Sequence, residues 1–109
     1  MSSTRSWMKT TVEQYGAEYV FRQMAEEAAE LCHAALKMVR VMNNETPVRW
    51  EIAQAHLLEE MADVRVMWDM IDKAVLNDDA SQKMWDIMWK KADRMQERML
   101  EGDQTGDDS

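Results

Sequence analysis

The chain has 109 residues, of which 46% are apolar, and its 21 acidic against 13 basic side chains give a net charge of -8. That length holds one domain with a modest core, and the charge excludes a general affinity for nucleic acid, which needs clustered Lys and Arg to displace counterions. No apolar run reaches the roughly 18 residues of a membrane span and no leader-like apolar core occupies the first residues, so a cytoplasmic protein without a membrane partner is expected.

Three glycines and one proline among good helix formers predict an all-α fold. Met1 to Ser6 reads as a frayed end. A first helix is expected from about Trp7 to Val20, with Met8, Val12, Tyr15 and Tyr19 on one face; Gly16 weakens it. The second helix, about Phe21 to Met42, alternates steps of four and three through Met24, Ala28, Leu31, Ala35, Met38 and Met42, and Asn43 and Asn44 suit its end.

Thr46 before Pro47 has the form of a helix start, a hydroxyl cap followed by a proline whose missing N–H costs nothing. The third helix then carries Trp50, Ala53, Leu57, Met61, Val64, Trp68, Ile71 and Val75, running unbroken to Leu76 or bending before His56. Asn77, Asp78 and Asp79 form a turn and cap. A fourth helix, about Ala80 to Leu100, buries Met84, Met88, Met95 and Met99, with Trp85 and Ala92 beside them. Residues 1–100 thus make a single domain, and 101–109 an unanchored acidic tail expected to be disordered.

Within this series one sextet is written twice. EEAAEL at Glu26 to Leu31 returns as EEMADV at Glu59 to Val64, 33 positions later. At about 100° per residue Glu27 lies some 60° from Met24 and Glu30 some 120°, and Glu60 and Asp63 stand in the same relation to Leu57. If the two helices pack antiparallel, an approximate twofold axis lets the four carboxylates converge, where they repel unless a cation sits among them. The pattern alone leaves two readings open: a divalent-cation site, or a duplicated hairpin whose acids are the solvated shoulders of amphipathic helices.

E-x-x-H at Glu30 to His33 is half of a di-iron motif, but Ala53 stands three positions before His56, so the second half is missing. Cys32 is the only cysteine, so no intramolecular disulfide and no thiolate zinc site can be built from it.

The paired EE-x-x-E and E-x-x-D resembles the hallmark of the all-α nucleoside triphosphate pyrophosphohydrolases, the MazG-like superfamily that includes dimeric dUTPases and dCTP pyrophosphatases. The similarity covers about Phe21 to Leu100. It implies a four-helix bundle-like MazG fold with an antiparallel pair of acidic-motif helices, assembled as a homodimer or homotetramer. It further implies cleavage of a nucleoside triphosphate to the monophosphate and pyrophosphate, with Mg2+, or Mn2+ in its place, held by Glu27, Glu30, Glu60 and Asp63.

Family members also set Lys or Arg of the second and fourth helices against the phosphates, which points to Lys37, Lys91 and Arg94 as substrate-binding residues. Lys83, Lys90, Lys91, Arg94 and Arg98 share one face of the fourth helix within about 100°, which reads equally as a solvated basic face. Asp93 departs from the family, which often carries Asn there. Trp7, Tyr15, Tyr19, Trp50, Trp85 and Trp89 are candidates for stacking on a base or for packing. Five tryptophans and twelve methionines exceed what one small chain buries easily, which points the same way as the expected oligomer. The alternative is a non-enzymatic acidic helical dimer that acts as an inhibitor or interaction protein by covering a basic partner.

Overall fold

The computed structural model describes the backbone of residues 2–105 and the side chains of 7–102. Among these the chain is all-helical: α1 (Ser2–Tyr15), α2 (Ala17–Met42), α3 (Trp50–Met70), a π-helical turn (Ile71–Val75) and α4 (Asp78–Thr105). It divides into two compact units, Met1–Val75 and Leu76–Ser109. No described helix is long and apolar enough to cross a membrane.

The break between α1 and α2 falls at Gly16, four residues before the end expected for the first helix. The cause is conformational: Gly16 has φ 89° and ψ 157°, a region closed to side chains by their Cβ. Its N–H still closes α1 on the Val12 carbonyl at 2.7 Å. The helix also extends back to Ser2, where fraying was expected.

α2 ends on its two asparagines as anticipated. Asn44 takes φ 57°, while the Asn44 N–H donates to the Val41 carbonyl at 3.1 Å and the Glu45 N–H to that of Arg40 at 2.8 Å. This pair of bonds is a Schellman closure, with asparagine in the place glycine usually holds.

The expected cap at Thr46 does not start a helix. Its hydroxyl accepts from the Val48 N–H only two residues on, at 3.4 Å, so Thr46 and Pro47 shape a turn; α3 begins at Trp50, with the Arg49 carbonyl accepting from Ile52 and Ala53. α3 continues past His56 as one uninterrupted α-helix to Met70. It widens into the π turn at Ile71–Val75, beside Asp69, which pairs with Arg65 at 3.3 Å and Lys73 at 3.7 Å.

In the first unit, Met8 of α1, Val20 of α2 and Met70 of α3 form the buried centre, with Val12, Met67, Ile71 and Ala74 packed around it. Farther along the α2–α3 pair only Ala34, Met38 and Ala53 are buried. The contact face of α2 runs through Val20, Met24, Glu27, Leu31, Ala34, Met38 and Val41, all buried or part-buried. That of α3 runs through Ala53, Leu57, Glu60, Val64, Met67 and Ile71 in the same rhythm, offset by 33. Both faces are rotated by about 45° from the apolar stripes expected, toward the acids. Ala28, Ala35 and Met42 of α2 and Trp50, Met61 and Trp68 of α3, expected in the core, are exposed.

In the second unit, α4 opens on Asn77, whose side-chain oxygen accepts from the Ala80 N–H at 2.8 Å, an N-cap with Asp78 and Asp79 in the first turn. It runs to Thr105, past the expected end at Leu100; residues 106–109 lie outside the described residues. Of the methionines expected to be buried, Met84 is part-buried and Met88, Met95 and Met99 are exposed. Trp85 and Trp89 stack with ring centroids 6.4 Å apart.

Candidate functional site

Glu27 and Glu60 sit in the α2–α3 seam itself, at positions where the rhythm of the contact face calls for an apolar side chain. The two are related by the 33-residue repeat. Across the seam Glu27 faces Asp63, and Glu60 faces Glu30, each pair close enough for a carboxyl that keeps its proton to donate to the other. The later acid of one helix thus faces the earlier acid of the other, which is the antiparallel register the repeat anticipates. Carboxylate oxygens of Glu27, Glu30 and Glu60 all lie within 4.8 Å of one another.

One oxygen of each seam acid is sealed: Oε2 of Glu27 and Oε2 of Glu60 are hidden from solvent and have no hydrogen-bond partner. Buried polar oxygens are nearly always satisfied, so two in one cluster are exceptional. The same crowding raises both acids above their ordinary 4.5. For Glu27 the causes are, in order, burial, the bond to Asp63 and the charges of Asp63, Glu30 and Glu60; for Glu60 they are burial, the bond to Glu30 and the charges of Glu30, Asp63 and Glu59.

A carboxyl that prefers its proton in the fold makes stability fall as pH rises. Between 4.5 and the raised values of Glu27 and Glu60 the native chain binds more protons than the unfolded one. Their ionisation therefore weakens the fold as pH passes up through that window, and acidification restores it. Without divalent ions the melting temperature is expected to be higher at about pH 5 than at about pH 8, and added Mg2+ to raise it more at the higher pH, because a cation competes with the protons. Thermal melts at the two pH values, with and without Mg2+, check this; a melting temperature that climbs with pH in the absence of metal contradicts it.

Beside the acids, and toward the loop joining α2 to α3, lies an open cavity of about 510 Å3 between the two helices. Glu30, His33, Ala34, Lys37 and Arg40 line it from α2, and His56, Glu59 and Glu60 from α3. Lys37 was anticipated from the sequence; Arg40, His56 and Glu59 were not. A signal for His56 was present, since four residues place it within about 40° of Glu60 on the same helix face. The acid cluster and the cavity are built from the first unit alone, and Lys91 and Arg94 are exposed residues of α4 in the second.

No family model, curated protein or solved structure matches this chain. What it can do is to be read from the site and from the motif that builds it.

Proposed function

We propose that this chain is a Mg2+-dependent nucleoside triphosphate pyrophosphohydrolase of the MazG-like kind, releasing a nucleoside monophosphate and pyrophosphate. The observation that carries the reading is the convergence of Glu27, Glu30, Glu60 and Asp63 in the seam, with two sealed oxygens that lack partners. A solvated shoulder of an amphipathic helix hides no carboxylate oxygen. The donor set is all oxygen, which suits a hard cation, and the orphaned oxygens are the ones a cation would satisfy.

Glu27, Glu30, Glu60 and Asp63 are the residues that would hold Mg2+. Bound there, the ion neutralises phosphate charge and lowers the pKa of a nearby water. The acids themselves stand in facing pairs, Glu27 against Asp63 and Glu60 against Glu30, so that a cation among them would draw ligands from both helices. Lys37, part-buried in the adjoining cavity, offers an ammonium to the phosphate chain. One water is consumed, and the phosphoanhydride between the α and β phosphorus atoms is cleaved.

The assembly belongs to the same reading. Phe21, Val39 and Met42 of α2 and Trp50, Met61 and Trp68 of α3 are exposed on the side of the helix pair away from the acids, while the chain's own core is thin. A second copy of the chain, brought to that side, is the partner we assign, in a homodimer or a pair of dimers.

Incubation of the purified chain with each nucleoside and deoxynucleoside triphosphate plus Mg2+, with pyrophosphate and orthophosphate assayed separately, tests the activity. Pyrophosphate is expected as the first product. Orthophosphate first, or no turnover of any triphosphate, overturns the reading; in the second case the acidic helical dimer without activity takes its place.

A further inference from the structure

The four acids obey the 33-residue repeat, but their surroundings do not. On the side toward the α2–α3 loop stand His33, Lys37, Arg40 and His56. Their counterparts under the repeat are Val66, Met70, Lys73 and Gln23, on the side toward the π turn. Three of these are uncharged, and Lys73 is engaged by Asp69 at 3.7 Å. A nearly symmetric cluster of carboxylates is therefore flanked at one end only by cations outside any ion pair, Lys37 and Arg40, with two imidazoles beside them.

Those cations are available. Among the described residues neither Lys37 nor Arg40 forms an ion pair, although Glu30, Glu59 and Glu60 line the same cavity and the chain carries a charge of -8. Helical side chains lean toward the N-terminus of their helix, which carries Lys37 and Arg40 back along α2 toward Glu30. His56 completes the opposite wall from α3, four residues before Glu60. A guanidinium forks onto phosphate oxygens, and an imidazole N–H adds one more donor.

We propose that the cavity between α2 and α3 is a pyrophosphate subsite, in which Arg40 and His56 join Lys37 in holding the two terminal phosphates, and that the nucleoside extends the opposite way, toward the π turn. This rests on the pyrophosphohydrolase reading of the acids and adds a polarity to it. Three carboxylates share the cavity wall, so the species bound is the magnesium complex of pyrophosphate: the bare tetra-anion would be repelled by Glu30, Glu59 and Glu60.

Calorimetric titration of the full chain with inorganic pyrophosphate, with and without Mg2+, tests the subsite without recourse to turnover. Arg40→Gln and His56→Gln lie on different helices, so a folding defect in one does not remove the test. Arg22→Gln makes the same charge change as Arg40→Gln at a residue paired with Glu18 away from the cavity and serves as the control. Binding by the unaltered chain is expected only with Mg2+. A rise in Kd of about tenfold or more is expected in Arg40→Gln and His56→Gln, and little change in Arg22→Gln.

Binding in Arg40→Gln and His56→Gln as tight as in Arg22→Gln, no binding by the unaltered chain at millimolar magnesium pyrophosphate, or binding indifferent to Mg2+ overturns the proposal. The two readings fail separately. Triphosphate hydrolysis to pyrophosphate with Kd values unchanged in the two variants leaves the enzyme and removes the subsite; Mg2+-dependent pyrophosphate binding that Arg40→Gln and His56→Gln weaken, in a chain that hydrolyses no triphosphate, leaves the subsite and removes the enzyme.

Discussion

Glu27→Gln is expected to make the metal-free protein more heat-stable while removing the proposed triphosphate hydrolysis. Glu27 is held in the seam against Asp63, Glu30 and Glu60, and its carboxyl is pushed upward by burial and by those neighbours. At neutral pH its ionised form opposes the fold. Glutamine keeps the shape, carries no charge, and its amide can donate to the Asp63 carboxylate where two carboxylates would compete for a proton. The same reasoning covers Glu60→Gln against Glu30.

A residue selected for stability would behave the other way. Triphosphate hydrolysis should fall by about a thousandfold, the scale of a lost metal-ion contribution to transition-state charge, and Mg2+ should no longer raise the melting temperature. Melting curves and steady-state rates of the same preparations check both halves. A lower melting temperature in the glutamine variants would assign Glu27 and Glu60 a structural role and detach them from metal binding.

Trp68→Glu or Val39→Glu is expected to break the proposed dimer and, with it, much of the stability. Among the described residues Val20 is the only large side chain that is fully buried, whereas Met42 is 67% exposed, Val39 49% and Trp68 45%. Each such side chain is worth about 1.5–3 kcal/mol when covered, and in a twofold interface every substitution counts twice. The dimer dissociation constant should therefore rise by roughly a hundredfold to ten-thousandfold, before the cost of burying the new charge. Sedimentation equilibrium and concentration-dependent melts measure this. An unaltered chain that sediments as a monomer at high concentration, or a Trp68→Glu variant that associates as well as its parent, removes the second copy from the account.

The helix count and the antiparallel register were legible in the sequence, because a 33-residue repeat constrains both helices together and Asn43, Asn44 and Asn77 are strong local signals. The break at Gly16 was undervalued. Helix propensity treats glycine as a modest cost, whereas here it supplies a backbone conformation that other residues avoid. Thr46 and Pro47 misled in the opposite sense: the same dipeptide that opens helices also makes a turn, and only the bond from Val48 decides between them.

The rotation of the seam has a deeper cause. Hydropathy places the core where apolar residues are densest, and on α2 and α3 that face also includes Trp50, Met61 and Trp68, which this chain leaves exposed. Two apolar faces share each helix, and periodicity averages them into one stripe lying between. The acids then look like shoulders. Only the packing shows that Glu27 and Glu60 occupy the contact face itself, and it is that position which seals an oxygen of each. Arg40 and His56 escaped notice because a cation one or two turns from an acidic motif is common on any helix; the cavity is what brings them together.

Titration with Mn2+, followed by loss of the free-ion electron paramagnetic resonance signal, tests most directly whether the four acids act as one cation site. The unaltered chain should remove Mn2+ from solution with saturable stoichiometry, Mg2+ should compete, and Glu27→Gln, Glu30→Gln, Glu60→Gln and Asp63→Asn should each weaken binding severely while remaining helical. Mn2+ bound equally well by all four variants, or left free by the unaltered chain, would contradict the account.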